Sequence, residues 1–286
     1  MKIFTDKTQD QEFQDLGDLG WTGSLNDRQF QYLRDAGFTG ALPDMLAQNS
    51  GGPAATTHAD IVAALGANDG FWDSLLLSGQ TIATDGTGPA PGAGDLVGYI
   101  ANAGGKYPAL AAPNDTSRPR VAAGALGHVY DGVTDELGLF LASVTKPTNC
   151  DLVIVYEPDA DNHVIFDGFP GTDSGSLYAA VAQIGSTSTV LTSSAGTPTI
   201  HVTRAGATSS PTTRGELYTA VSAGKCIVEV RGADLSSWFG FSISGLTASG
   251  FAIDGTVYGA LLLEAPTTGT RDTVRGLLGE YYGVAT

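Results

Sequence analysis

The chain has 286 residues, and its 30 acidic against 14 basic side chains give a net charge of −16. A field of that sign repels phosphate backbones and anionic lipid headgroups, so neither nucleic acid nor membrane insertion is expected of this protein. Hydrophobic residues make up 42% of the sequence and 39 residues are glycine, which argues against a disordered chain and favours strands joined by many turns.

The first 69 residues contain a polar arm and then three short helix patterns. The helices are predicted over residues 24–35, 41–49 and 58–68. Their apolar side chains include Leu25, Phe30, Leu33, Met45 and Leu46. Helices of at most ~12 residues are marginal in isolation, so these are expected to dock on another surface. We therefore predict an adaptor over residues 1–69, with an extension packed on its own domain as the alternative.

From residue 70 to the C-terminus, the pattern predicts a β-sandwich. Short apolar or alternating runs are separated by clusters of Gly, Pro, Asn and Asp, as in sandwich domains. The clearest strands are predicted at 151–157, 163–169, 177–184, 198–204, 216–222, 225–231, 238–244 and 256–264. The stretch PDADN (158–162) is rich in turn residues and predicts a hairpin between the first two of these strands.

The final segment departs from the strand pattern and predicts a helix over residues 271–283. Thr270 or Asp272 is expected to cap its start. Its apolar face consists of Val274, Leu277, Leu278 and Tyr281. Residues 70–286 are therefore expected to form one domain, a sandwich closed by this helix.

Two cysteines, Cys150 and Cys226, lie in strand-like runs of the predicted sandwich. Buried free thiols are expected there, and a disulfide bridge is the alternative. Free thiols fit a chain that folds in a reducing cytoplasm.

Seven stretches, in a fixed order along the chain, carry a resemblance to known proteins. They are GSLNDRQFQYLRDAGFTGALPDM (23–45), TIATDGTGP (81–89), DLVGYIANAGG (95–105), TSRPRV (116–121), VYDGVTDELGL (129–139), IDGTVYGALLLE (253–264) and RDTVRGLLGEYYGV (271–284). In this order they resemble particle proteins of tailed phages and of phage-derived gene transfer agents. The resemblance implies a mainly β fold, a concanavalin A-like or jelly-roll antiparallel β-sandwich of the laminin-G-like type, with a short-helix N-terminal adaptor and a C-terminal helix.

The same resemblance implies a function on a virus-like particle. The protein would be a fibre, head spike or tail component, anchored in the virion by residues 1–69 and assembled in the host cytoplasm. Its implied partners are other virion subunits, host cell-surface polysaccharide and further copies of itself, with a trimer as the expected homo-oligomer. A purely structural decoration or clamp protein is the alternative, and a polysaccharide-degrading enzyme is a third reading.

A lectin-like sandwich would bind glycan through aromatic faces that stack on sugar rings and polar groups that bond to hydroxyls. The expected stacking residues are Tyr156 and Trp238, and the expected hydrogen-bonding residues are Asn162 and Asp167. The alternative for each aromatic side chain is a place in the core of the sandwich.

Catalytic and metal chemistry have weak support in the sequence. No two carboxylates stand two positions apart within a predicted strand, no G-x-S-x-G motif is present, and the four histidines are dispersed, so no enzyme activity is expected. No cofactor is expected either. Calcium is the one metal considered, because Asp159 and Asp161 place hard oxygen donors in one turn; a solvated acidic turn is the alternative.

Overall fold

The computed structural model describes residues 56–122, 127–159, 163–168, 181–182, 187, 195–222, 224–244 and 252–286. The chain divides into two compact units, Met1–Ile61 and Val62–Thr286. The predicted adaptor, with Leu25, Phe30, Leu33, Met45 and Leu46, therefore lies almost entirely outside the described residues and stays a prediction.

The described ranges contain three α-helices and sixteen strands. The helices are α1 (His58–Ala64), α2 (Arg214–Val221) and α3 (Thr268–Tyr282). The first eight strands are β1 (Gly70–Asp73), β2 (Gln80–Thr81), β3 (Tyr99–Ile100), β4 (Leu110–Ala111), β5 (Arg120–Val121), β6 (His128–Asp131), β7 (Leu137–Phe140) and β8 (Cys150–Pro158). The other eight are β9 (His163–Val164), β10 (Phe166–Asp167), β11 (Val181–Ala182), β12 (Thr199–Arg204), β13 (Ala207–Ser209), β14 (Cys226–Ala233), β15 (Gly240–Ile243) and β16 (Asp254–Glu264). Among the described helices, none is long and apolar enough to cross a lipid bilayer.

The strands form two main antiparallel sheets, which confirms the prediction of a mainly β protein. The larger sheet has the order β13-β12-β14-β8-β16-β6-β5, and β1 pairs with the C-terminal half of β16 beside β6. The smaller sheet has the order β10-β15-β7-β4-β3-β2, and β9 pairs separately with β11. Strand β16 is central because it pairs with β8 along one edge and with both β1 and β6 along the other.

The two main sheets share one hydrophobic core. Strand β8 contributes Leu152, Ile154 and Tyr156 to it, and the smaller sheet contributes residues such as Leu139 and Phe241. The two residues that lie between these three in β8 point to the opposite face, because side chains alternate along a strand. That face is also buried. Burial on both faces explains why residues 152–156 are continuously apolar rather than alternating.

Helix α3 lies on the outer face of the larger sheet and is fixed there by polar contacts. Arg271 binds Asp151 of β8 through two nitrogens, at 2.6 and 3.0 Å. The hydroxyl groups of Tyr281 and Tyr282 donate to the carboxylate of Asp73 in β1, at 2.9 and 3.0 Å. In the described part of the chain, α3, the larger sheet and the smaller sheet thus form three layers.

The C-terminal helix is confirmed, but it begins earlier than predicted. Thr267 is the N-cap, since its side chain accepts from the backbone N–H of Thr270, and Gly283 ends the helix in a left-handed conformation with φ of 72°. Neither Thr270 nor Asp272 is the cap. The predicted apolar face is largely confirmed, because Val274, Leu278 and Tyr281 are buried.

The predicted strand at 216–222 is wrong, because these residues belong to helix α2. Thr213 accepts a hydrogen bond from the backbone N–H of Glu216, and the Glu216 carboxylate accepts from the backbone N–H of Thr213. This reciprocal capping box provides acceptors for backbone N–H groups at the start of a helix. It outweighs the strand propensity of the β-branched residues in the segment.

The predicted hairpin around residues 158–162 is also wrong. Both edges of β8 are already paired, one with β14 and the other with β16, so the strand that follows the turn pairs with β11 instead. The predicted strand 163–169 is split into β9 and β10. The strands predicted at 151–157, 198–204, 225–231 and 256–264 are confirmed as β8, β12, β14 and β16, and the strand at 238–244 is confirmed in its central residues as β15.

Both cysteines are free and buried, as predicted. Cys150 starts β8 and Cys226 starts the antiparallel strand β14, so they lie at opposite ends of the pairing. Burial raises the pKa of the Cys226 thiol to about 12 and raises that of the Cys150 thiol further. Neither thiol is a reactive nucleophile in this environment.

Candidate functional site

The residues predicted to bind glycan do not form an accessible site. Tyr156, Asp167 and Trp238 are fully buried, and the first and last belong to the shared core. The face of the Trp238 indole is covered by backbone, since a Cβ on Gly168 would lie 2.9 Å from it. A ring that is enclosed in this way cannot stack on a sugar, so the alternative reading of these aromatic side chains as core residues is the correct one. Asn162 lies outside the described residues.

The acidic turn considered for calcium is only partly described. Asp159 donates its backbone N–H to the carbonyl oxygen of Asp254 (2.8 Å), while Asp161 lies outside the described residues. The pKa of Asp254 is raised by burial and by the nearby charges of Asp159 and Asp131. No cluster of three or more metal-binding side chains occurs in the described part of the chain. The calcium hypothesis therefore gains no support from the residues that can be placed.

An open groove of about 890 Å³ lies at the edge of the larger sheet. One wall comes from the ends of the edge hairpin β12–β13, and the other comes from α2 and the segment that leads into it. Its lining residues are Arg204, Ser209, Ser210, Pro211, Thr212, Thr213, Gly215, Glu216, Thr219 and Ala220. Five of these ten carry a hydroxyl group. The groove therefore offers many hydrogen-bond donors and acceptors at a surface position.

The carboxylate in the groove is already engaged in holding its wall. Glu216 Oε2 accepts from the backbone N–H of Thr212 (2.8 Å), from the Thr212 hydroxyl (2.9 Å) and from the backbone N–H of Thr213 (3.2 Å). These hydrogen bonds lower the pKa of Glu216, with those from Thr212 contributing most. Glu216 is consequently ionised and fixed at neutral pH, and it shapes the groove rather than serving as an acid.

Arg204 is the cationic group of the groove, and it is distinctive among the arginines. Among the residues that the structure describes, no acceptor pairs with its guanidinium group, and Nη1 is enclosed by protein. The other described arginines all have partners: Arg118, Arg120, Arg214, Arg231, Arg271 and Arg275. Nη1 itself is shielded from the groove, but Arg204 as a whole is only partly buried and lines the groove, so its positive charge is suited to an anionic ligand there.

A serine–histidine contact adjoins the groove. Ser210 Oγ lies 3.0 Å from His201 Nδ1, and Thr199 Oγ1 lies 3.1 Å from His201 Nε2. A serine hydrolase needs a carboxylate on the histidine nitrogen that faces away from the serine, to hold the ring and stabilise the imidazolium. A threonine hydroxyl takes that place here. The pKa of His201 is lowered by burial and then by Arg231, which disfavours the imidazolium further.

A second exposed feature is a pair of aromatic rings on the smaller sheet. Phe140 at the end of β7 and Phe239 before β15 are 54% and 51% exposed. Their rings meet edge to face, with centroids 5.5 Å apart. Exposed aromatic pairs of this kind are typical of contact points with other proteins, although two residues make a small patch.

Sequence reasoning missed the groove because its residues come together only through strand pairing and the α2 turn. One signal was available: the string TRGE at 213–216 has the T-x-x-E spacing of a capping box, which places α2 and hence one wall of the groove. The position of Arg204 beside that wall depends on the β12–β13 hairpin and is not visible as a motif.

Comparison with known proteins adds no relative. No family model, no curated protein and no solved structure matches this chain.

Proposed function

We propose that this protein is a structural component of a tailed phage-like particle that presents a lectin-like β-sandwich for attachment to host-surface glycan. The proposal begins from the ordered resemblance of residues 23–45, 81–139 and 253–284 to particle proteins. Two antiparallel sheets that share one core are consistent with a sandwich of the concanavalin A-like class. The fibre, head spike and tail are all compatible positions in the particle.

The groove at the sheet edge is the observation that carries the attachment role. Its hydroxyl groups and Arg204 face an open space of about 890 Å³, which accommodates a few sugar residues. It replaces the aromatic site expected from the sequence, because Tyr156 and Trp238 are buried. No aromatic residue is among the groove's described lining, so a single site is expected to bind weakly. The expected trimer would compensate through avidity, since three linked sites bind one polysaccharide together.

A structural clamp is the second candidate, and the exposed pair of Phe140 and Phe239 favours it. Apolar rings on an outer surface are suited to burial against a neighbouring subunit. In that case the smaller sheet would face other particle proteins, and the groove would have no receptor.

Imaging of intact particles by electron cryomicroscopy, together with a binding screen against host polysaccharides, tests the proposal. We expect density for residues 62–286 on the outside of the particle, with the groove facing solvent, and binding of the purified protein to at least one host polysaccharide. Density buried between other subunits at Phe140 and Phe239, with no polysaccharide bound, would establish the clamp instead.

A further inference from the structure

We infer that the groove takes a carboxylate-bearing saccharide, with a uronic or sialic acid residue held at Arg204. This inference rests on the proposed attachment function and specifies the chemical class of its ligand. Arg204 lines a groove whose other polar groups are mostly hydroxyls, and its Nη1 has no acceptor among the described residues. A sugar acid carries the complementary set, one carboxylate surrounded by hydroxyl groups.

The geometry of the groove separates its polar groups into two roles. Ser209, Ser210, Thr212 and Thr219 supply neutral donors and acceptors for ring hydroxyls. The Glu216 carboxylate is fixed at the start of α2, because Oε2 accepts three hydrogen bonds from Thr212 and Thr213.

A carboxylate fits this site better than a phosphate. The planar guanidinium group matches the two oxygens of a carboxylate and forms two parallel hydrogen bonds with it. A phosphate monoester has a third charged oxygen and is usually held by several cations, whereas a phosphodiester such as teichoic acid carries one charge on two oxygens and is distinguished from a carboxylate by the binding test below. Among the described lining residues Arg204 alone is basic, and the whole chain carries a net charge of −16.

The net charge also determines how such a ligand would approach. A polyanionic saccharide is repelled by the protein at long range, whereas the contact with Arg204 acts only at short range. Added salt should therefore raise the association rate by screening the repulsion. A general basic surface would show the opposite dependence, because salt would screen an attraction.

The test measures binding of the full-length protein to defined oligosaccharides by calorimetry and by surface-based kinetics. The probes are an oligogalacturonate, an oligomer of sialic acid, their carboxyl-reduced counterparts, and a glycerol-phosphate teichoic acid fragment. We expect binding to at least one acidic oligosaccharide and at least tenfold weaker binding to its reduced counterpart and to the teichoic acid fragment.

The variants locate the contact. Arg204→Gln should weaken binding of the acidic probe at least tenfold. The affinity of Arg204→Lys should lie between those of the wild type and of Arg204→Gln, because lysine keeps the charge but cannot form two parallel hydrogen bonds. Thr219→Phe, on the exposed face of α2, should block the groove while leaving Arg204 in place. Arg120→Gln is the matched control, since it removes the same charge from β5, at the opposite edge of the larger sheet.

Each outcome has a defined meaning. Equal binding of native and carboxyl-reduced probes, or preference for the teichoic acid fragment, overturns the carboxylate inference and leaves glycan attachment standing. If both Arg204→Gln and Thr219→Phe still bind the acidic probes selectively, the binding site lies elsewhere and the inference is also overturned. If no probe binds and no host polysaccharide binds, the inference and the attachment function fail together.

Discussion

His128 in β6 is a neutral base enclosed in the larger sheet. Gln80 Nε2 donates to the carbonyl oxygens of Asp73 (3.2 Å) and Ser74 (3.1 Å), so Gln80 Oε1 is left to accept from His128 Nε2 at 2.8 Å. The neutral ring therefore carries its proton on Nε2. Its other nitrogen, Nδ1, is enclosed with no hydrogen-bond partner in the described residues. Burial lowers the pKa of His128 from 6.5 to about 3.

Replacing His128 with Gln should make the protein less sensitive to acid. His128 binds a proton below pH 6.5 in the unfolded chain, but only near pH 3 in the folded chain. The free energy of unfolding is therefore not reduced by this residue above pH 6.5, and it falls as the pH is lowered from 6.5 towards 3. The loss approaches about 1.4 kcal/mol per pH unit within that window. Urea unfolding at pH 7, 5.5 and 4 should show the stability of His128→Gln falling less steeply than that of the wild type.

The comparison between variants is needed because another buried group titrates in the opposite direction. Burial and the charge of Asp131 raise the pKa of Asp135 to about 7, so its contribution to stability increases as pH falls below that value. This opposing term is the same in both proteins and cancels in their difference.

Two glycines give a matched test of how closely α3 lies on the sheet. A Cβ on Gly259 of β16 would overlap the Tyr282 hydroxyl, whereas a Cβ on Gly276 of α3 would meet nothing within 4 Å. Gly259→Ala should therefore cost about 1–3 kcal/mol by overpacking and by displacing Tyr282 from Asp73. Gly276→Ala should stabilise the protein by about 0.5–1 kcal/mol, because alanine is the better helix former. Urea unfolding midpoints distinguish the two, and an unaffected Gly259→Ala variant would argue against the close contact.

At the scale of elements, α3 depends on ion pairs of unequal importance. Asp151 has no exposed side-chain surface and one arginine partner, Arg271, whereas the nearly buried Glu229 is shared by Arg231 and Arg275. Arg271→Met should cost about 3–5 kcal/mol in the free energy of unfolding, because it leaves a buried carboxylate without its cation. Arg275→Met should cost much less, since Arg231 still neutralises Glu229.

Equilibrium unfolding of both variants in urea checks this prediction, and a second substitution provides its control. In the Arg271→Met background, Asp151→Asn should recover part of the lost stability, because the uncompensated charge is removed. Equal losses from Arg271→Met and Arg275→Met would show that neither carboxylate depends on a single partner.

The elements that sequence patterns predicted well are those whose signal is local. Residues 151–157 and 256–264 are predicted as strands because each contains a run of apolar residues, and they lie in β8 and β16. The C-terminal helix was recognisable from its 3.6-residue periodicity. The error at 216–222 arose because strand propensity was weighed above the Thr213–Glu216 capping box, which decides the local structure.

The candidate site was less predictable than the fold, for a physical reason. The burial of Tyr156 and Trp238 depends on partners elsewhere in the chain: the smaller sheet packs against that face of β8, and Gly168 packs against the Trp238 ring in the turn before β15. The contact of Ser210 with His201 and the place of Arg204 beside α2 depend on the turn geometry between residues 204 and 214. These residues are close in the sequence, but the turn geometry that brings them together is not specified by a short motif.

At the scale of the whole molecule, acidic side chains outnumber basic ones, and most of the described arginines are engaged in hydrogen bonds or ion pairs within the protein. Arg271 and Arg275 join α3 to the larger sheet, Arg231 binds Glu229 within β14, and Lys106 binds Glu264 at 2.6 Å. The surface is left with the negative excess, which repels other anionic surfaces at long range. An unengaged arginine in a groove therefore stands out against that background, and it is the reason the groove is favoured as the binding site.

The pairing of β1 with β16 sets how the molecule would carry mechanical load. The two strands run antiparallel with Gly70 opposite Leu262, so a pull directed outward through the chain before β1 opens the pair from that end. Hydrogen bonds loaded in this way break one after another, as in a zipper, and not together as in shear. At that end the Asp69 carboxylate holds β16, because it accepts from the backbone N–H of Glu264 at 2.8 Å. At the far end of β1, the carboxylate of Asp73 is held by the hydroxyl groups of the two tyrosines of α3.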